Sequence, residues 1–155
     1  MTRVIERLQD EGLRFMVLHH AEADTSIGEA IALGIAPDEV AKTLVVKTGG
    51  RFTPVVIPAT RRLDMGRLRA AMHDQHARLA TEAEMRERFP DFELGAFPPL
   101  PELFGAPAYV DPEVLEHTTV VFATGDRSES LRMRTADLFP ERETIVAPIT
   151  HLLEL

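Results

Sequence analysis

The residue in this chain whose type and setting most invite chemistry is Lys42. It stands at the opening of VAKTLVVKTGG, residues 40–50, a stretch that otherwise reads as a buried strand. Two readings are open. An edge-strand lysine snorkels to water and discourages pairing with other sheets. A lysine at a strand mouth beside a stiff loop offers a fixed ammonium to an anionic or carbonyl-bearing ligand. The other reactive side chains narrow the chemistry by elimination. There are no cysteines, which excludes thiolate catalysis, disulfides and Cys-ligated zinc. The only serines are Ser26, Ser128 and Ser130, and no Gly-x-Ser-x-Gly elbow surrounds them. No Gly-x-x-x-x-Gly-Lys-Ser/Thr loop occurs and no Gly-x-Gly-x-x-Gly follows a strand, so nucleotide folds of those kinds lose their signal. His73 and His76 lie three apart on a predicted helix, but no third metal ligand is suggested by spacing. No metal or cofactor is expected. His19 and His20 end a predicted strand, where exposed or hydrogen-bonded histidines are ordinary.

Charge distribution says more than net charge. The chain carries −8, which argues against a nucleic-acid partner, and DNA is not expected. Residues 40–80 nevertheless hold eight Lys or Arg against Asp64 and Asp74, a local +6 that leaves −14 for the remainder. Such asymmetry suits an anionic ligand docking on one region, and it equally suits a solvated helix face. The 155 residues, 45% of them hydrophobic, are enough for one compact domain over residues 1–155, with no linker or repeat to divide it. The first dozen residues lack a signal-peptide run and no later segment approaches a membrane span, so a soluble cytoplasmic protein with no membrane partner is expected.

The elements that must position these residues follow from local pattern. Val4, Ile5 and Leu8 have helical spacing that stops near Gly12, and FMVL at 15–18 is a short strand. Ser26 with Glu29 reads as a capping box for a helix ending at Leu33 and Gly34. Residues 42–48 and 52–58 flank TGGR and predict a hairpin, in which Pro54 indicates an edge or bulge. Residues 64–73 predict a helix, ARLA a short strand, and Thr81 with Glu84 a second capping box for a helix ending at Phe89 and Pro90. Residues 94–107 hold four of the 11 prolines and two of the nine glycines, and so predict a loop of restricted shape. AYVD, TTVVFA and SLRMR predict three more strands, with TGDRSE a turn and TADLF a helical turn. The fold class expected is α/β or α+β, with one mixed, mainly antiparallel sheet and surrounding helices.

The order of segments carries a resemblance. His20 and Thr25, then GIAPDEVAKTLVV, then GAFPP, then FATGDRSESLRMRTADL resemble the YbaK family and the editing domain inserted in bacterial prolyl-tRNA synthetases. The Gly-x-x-x-Pro pattern alone means little, since nine glycines and 11 prolines give about one match by chance. GRFTP is such a second match, inside the hairpin; only GAFPP falls after the Lys42 strand and before the terminal strands. The resemblance implies a free-standing deacylase that hydrolyses the ester of a mischarged tRNA with positioned water, without a protein nucleophile. It implies that Lys42 holds the terminal phosphate or the aminoacyl end. Backbone N–H groups of the loop formed by Gly95, Ala96, Phe97, Pro98 and Pro99 would fix the aminoacyl carbonyl, with Gly125 at the far wall and His20 and Thr25 beside the substrate. Arg61, Arg62, Arg67 and Arg69 would meet the acceptor stem. Asp126 either faces the substrate's α-ammonium or initiates a turn. Alanyl- and cysteinyl-tRNA(Pro) and other mischarged tRNAs remain open as substrates. A non-catalytic module binding an acceptor end or a nucleotide is the alternative.

Overall fold

The computed structural model describes residues 2–152. The chain runs α1 (Thr2–Asp10), β1 (Phe15–His19), α2 (Ser26–Leu33), β2 (Ala41–Thr48), β3 (Arg51–Pro58), β4 (Arg61–Leu63), α3 (Met65–Met72), β5 (Arg78–Leu79) and α4 (Glu82–Arg88). It continues with α5 (Pro101–Phe104), β6 (Ala108–Val110), β7 (Thr119–Ala123), β8 (Glu129–Arg134), α6 (Thr135–Leu138), β9 (Thr144–Val146) and β10 (Thr150–Leu152).

The α+β class is as expected, but the strands form three sheets among the described residues rather than one. Their orders are β5-β2-β3-β6-β9, β1-β8-β7 and β10-β4. The first is mixed: β2 and β3 are the antiparallel hairpin, while β6 and β9 join in parallel. A single parallel bridge, Val40 to Val121, links it to the all-antiparallel β1-β8-β7 sheet.

The hairpin is buried on both faces, which is why its strands read as nearly continuous apolar runs instead of alternating. One face, with Ala41, Val45 and Val56, packs into a cluster with Val4 and Leu8 of α1, Phe122 of β7 and Leu131 of β8. The other face, with Val46, Val55 and Ile57, packs on Leu68 of α3 and on Ile149. Pro54 is therefore neither at a sheet edge nor in a bulge. It pairs with Val45 in the unbroken register of a central strand. The tolerance has a simple cause. The Val56 carbonyl accepts from Asp111 N on the β6 side, so Pro54, two residues earlier, turns its missing donor to that same side, where pairing with β6 starts only at Val55.

Two other expectations change. Thr25, not Ser26, caps α2, its hydroxyl accepting from Gly28 N at 3.0 Å. Residues 94–107 are not all loop, because Pro101 sits at the first turn of the short helix α5, a position where its absent N–H costs nothing. The second capping box forms as expected: Glu84 N donates to Thr81 Oγ1 and Thr81 N donates to the Glu84 carboxylate. No helix among the described residues is long and apolar enough to cross a membrane.

Candidate functional site

A cleft of about 310 Å³ opens where the sheet runs out of partners for β2. The short strand β5 pairs with Val46 and Lys47 only, and Ala80 N still donates to the Val45 carbonyl. At Thr81 the chain turns into α4. Glu84 holds that turn, accepting from Arg78 at 2.7 and 2.9 Å and from Lys47 at 2.6 Å. The Arg78 guanidinium, the Lys47 ammonium and Thr81 keep the Glu84 carboxyl well below the usual carboxylate range. Residues 42–44 of β2 consequently face the opening. Thr43 lies opposite Val56, whose carbonyl points to β6, so the pair is not hydrogen-bonded and Thr43 turns its own N–H and C=O into the cleft. The Thr43 hydroxyl is buried with no hydrogen-bond partner.

Three further segments close the cleft. Asp24, Thr25 and Ser26 come from the start of α2, Met85 from α4, and Leu94, Gly95 and Phe97 from the loop before α5. The loop is set by aromatic packing. The Phe89 ring lies 5.6 Å from Phe97, 5.1 Å from Phe104 and 5.7 Å from Phe52. Such pairs are worth about 0.5 to 1.5 kcal/mol each beyond their buried area. Gly95 has φ of 83° and runs against the backbone of Asp24, so closely that a Cβ would stand 2.2 Å from the Asp24 carbonyl oxygen. No other residue fits there.

Lys42, Thr25, Gly95 and Phe97 are thus brought to one cleft, although they are far apart in sequence. Lys42 is half-buried, and its side chain forms no hydrogen bond or ion pair among the described residues. The loop offers fewer donors than its five residues suggest. Pro98 and Pro99 have no N–H, and Ala96 N donates to the Glu93 carbonyl. The N–H groups of Gly95 and Phe97 remain, and both residues line the cleft. Ser26 lies on the wall with no histidine among the lining residues, so nothing there could activate it as a nucleophile.

Gly125, Asp126 and His20 are not part of this wall. Gly125, at φ 102°, packs behind the loop, where a Cβ would meet the Phe92 ring at 2.2 Å. Asp126 starts the turn: its Oδ1 accepts from Ser128 N at 2.8 Å and from Ser128 Oγ at 2.7 Å, contacts that lower its pKa. Arg127, which the sequence does not single out, ties that turn to the loop. Its Nε donates to the Leu94 carbonyl at 2.9 Å and its backbone N to Glu93. No local pattern could reveal a contact across 33 residues.

His20 starts a chain of hydrogen bonds that runs from the half-buried surface in to the buried Glu29. Its Nδ1 donates to the Ala21 carbonyl and its Nε2 lies 2.8 Å from Ser130 Oγ, which in turn contacts the Glu29 carboxyl. Burial pushes Glu29 up, against the opposing pull of Ser130 and His20. Because Nδ1 must donate, only two arrangements satisfy every atom. Either His20 is cationic and Glu29 anionic, or both are neutral and Glu29 donates to Ser130. Glu29, read from sequence as half of a capping box, is instead the inner end of this chain.

The four arginines lie away from the cleft lining, and three are engaged internally. Arg61 Nε donates to Thr150 Oγ1 at 2.6 Å, Arg67 donates to the Thr150 carbonyl at 3.3 Å, and Arg69 Nε donates to the Ala77 carbonyl at 2.9 Å. Arg62 is exposed, and its side chain has no partner among the described residues. His73 is the left-handed C-cap of α3, and no group of three potential metal ligands occurs among the described residues. A larger cavity of about 530 Å³ lies on the α1 and α5 side, where Arg7 pairs with Glu102. None of the site residues expected from sequence lines it.

Comparison with known proteins now places the chain. Residues 20–139 match the aminoacyl-tRNA editing domain, and the chain belongs to that family. The crystal structure of a proposed trans-editing enzyme for prolyl-tRNA synthetase is similar at 25% identity and a TM-score of 0.83, covering 97% of this chain and 96% of that one. The hypothetical protein APE2540 is similar at 25% identity and a TM-score of 0.85, over 96% of this chain and 99% of its own. A proposed signal-transduction protein from Marinobacter aquaeolei VT8 shares the fold at 16% identity and a TM-score of 0.70, with the match spanning 31% of its length.

Proposed function

We propose that the chain acts as one free-standing aminoacyl-tRNA deacylase domain, hydrolysing the ester of a wrongly charged tRNA whose amino acid is small, such as alanine or cysteine on tRNA(Pro). The observation that carries this reading is the meeting of an unpaired lysine, Lys42, with the two open N–H groups of Gly95 and Phe97 in one cleft. An aminoacyl ester is already activated, so a held oxyanion and a positioned water suffice. Water attacks the carbonyl carbon, and the carbonyl electrons move to an oxyanion facing the Gly95 and Phe97 N–H groups. Collapse breaks the bond to the ribose oxygen, which takes up a proton from the attacking water. The products are the free amino acid and tRNA with its terminal hydroxyl restored.

Lys42 would hold the anionic end of the terminal nucleotide. Leu44, Leu79, Met85 and Phe97 give apolar walls for the amino-acid side chain. Such walls select by size, one methylene being worth about 1 to 3 kcal/mol. Arg62, the exposed and unengaged member of the four arginines, would meet the acceptor stem. The test is a panel of mischarged tRNAs incubated with purified protein and followed by loss of the labelled amino acid. Hydrolysis of one or more small-residue esters is expected. Retained tRNA binding without hydrolysis of any member would instead indicate a binding module.

A further inference from the structure

We infer that Arg127, which does not line the cleft, is a positioning residue for deacylation: it sets the direction of the Gly95 N–H through the Leu94–Gly95 peptide unit. The inference rests on the deacylase reading and adds to it the residue that holds one oxyanion donor in place. Arg127 Nε donates to the Leu94 carbonyl at 2.9 Å. That carbonyl belongs to the same planar unit as the Gly95 N–H, and in a trans peptide the two point in opposite directions. None of the described peptide bonds is cis. Fixing the carbonyl toward Arg127 therefore turns the N–H away from it, toward the cleft that Gly95 lines and Arg127 does not. The Gly95 N–H has no acceptor among the described residues, so it stays open for a substrate oxygen. A charged donor on the carbonyl also polarises the peptide unit, which strengthens its N–H as a donor.

The backbone of Arg127 makes it a fixed point. Its N donates to the Glu93 carboxylate at 3.0 Å, and its carbonyl accepts from Ala23 N at 2.9 Å. Glu93 N in turn donates to the Gly125 carbonyl at 2.7 Å. The turn after β7, the loop before α5 and the entry to α2 are thus joined around one residue, whose side chain reaches from that junction to Leu94. Gly95 needs such a restraint, because without a Cβ its flanking peptide units rotate more freely than those of any other residue. The other contact of the guanidinium, with Glu22 at 3.7 Å, is an exposed ion pair of the kind that contributes little.

The experiment is single-turnover deacylation of the best-hydrolysed ester of the panel over a series of enzyme concentrations, which separates the maximal rate from the half-saturating concentration. Arg127→Met keeps the backbone bonds and much of the aliphatic stem while removing the guanidinium. It should lower the maximal rate about 10- to 100-fold and leave the half-saturating concentration unchanged, as a displaced donor does and a lost tRNA contact does not. Methylguanidinium added at millimolar concentration to Arg127→Ala should restore part of the rate. Arg127→Lys carries its charge on one freely rotating donor and should fall between the parent and Arg127→Met. Glu22→Gln removes only the ion pair and should keep the parent rate. A purely structural role would lower the melting temperature of the Arg127 variants without lowering the maximal rate of the folded protein. A parent-like maximal rate in folded Arg127→Met, or a loss confined to the half-saturating concentration, would overturn the inference and leave the deacylase reading standing. Should Arg127→Met not fold, the same two measurements on Arg127→Lys decide. Hydrolysis of no ester by the unmodified protein would overturn both.

Discussion

Replacing Gly95 by alanine tests whether the loop's placement sets the rate. The perturbation has two parts that the structure separates. At φ of 83° an L-residue is strained by roughly 1 to 2 kcal/mol. The added Cβ would also stand 2.2 Å from the Asp24 carbonyl oxygen, below the 3.0 Å that real Cβ contacts keep, so loop and α2 entry must separate by about 0.8 Å. Both sides of that contact are backbone, and no side chain can rotate away. With the clash added, the stability loss should reach about 2 to 4 kcal/mol by urea unfolding. A displacement approaching 1 Å of the donors that face a developing oxyanion should cost on the order of 100-fold in the single-turnover rate. Gly34→Ala is the control. Gly34 has φ of 67° at the C-terminus of α2 and nothing within 4 Å of an added Cβ, so it carries the strain without the clash. It should lose about 1 kcal/mol and keep its rate. A Gly95→Ala protein that deacylates as fast as Gly34→Ala would refute the argument that the loop's N–H groups act from this position.

Lys42→Ala should lower deacylation by about 100-fold with a stability change within about 1 kcal/mol, and Lys42→Arg should rescue poorly because a planar fork does not replace a compact ammonium. A parent-like rate in Lys42→Ala would return Lys42 to an edge-strand role. Glu29→Gln should alter pH dependence. The folded-state pKa of Glu29 is raised, so the folded protein keeps a proton that the unfolded chain releases, and stability falls as pH climbs from the ordinary carboxylate range through the folded pKa. The amide still accepts from Ser130 but does not titrate, so the variant should gain stability relative to the parent as pH climbs above the ordinary carboxylate range; parallel unfolding profiles would show that Glu29 is not the titrating group. Arg62→Glu should weaken tRNA binding and reduce its log–log salt slope by about 1, whereas Arg69→Glu should mainly reduce stability by removing the bond to the Ala77 carbonyl. Equal binding losses from both, with stability unchanged, would contradict that division.

What was legible in the sequence was local. The β2–β3 hairpin, the Thr81–Glu84 capping box, the helix from Asp64 to His73 and the turn at TGDRSE each depend on residues within a few positions of one another, where propensity and hydrogen-bond chemistry decide the outcome. The three sheets were not legible. Strands β4, β9 and β10 have three residues each, too short for any periodicity, and although AYVD reads as the strand β6, all four pair across tens of residues. Pro54 misled because proline reports only that one donor is missing; whether that donor faces an edge or the end of a short parallel pairing is settled by β6, more than 50 residues away. Glu29 misled because Ser-x-x-Glu and a buried carboxyl reaching Ser130 look identical in one dimension.

The same distinction governs the site. Residue types and order single out Lys42 and the Gly95 loop, but chemistry depends on which polar groups are left over after folding, and that is a long-range property. Folding spends the N–H of Ala96 on Glu93, the carboxylate of Asp126 on Ser128, and three of the four arginines on main-chain carbonyls or Thr150. It leaves without a partner among the described residues the Lys42 ammonium, the N–H groups of Gly95 and Phe97, and the buried Thr43 hydroxyl. Buried polar groups in a folded protein nearly always find partners, and each one without a partner costs about 1 to 3 kcal/mol when it is sealed from water. Four such groups scattered over a surface would call for no explanation, since water would satisfy them. Four converging on one cleft, around a glycine that no other residue can replace, are what the proposed deacylation would complete, with the substrate carbonyl at Gly95 and an anionic group at Lys42.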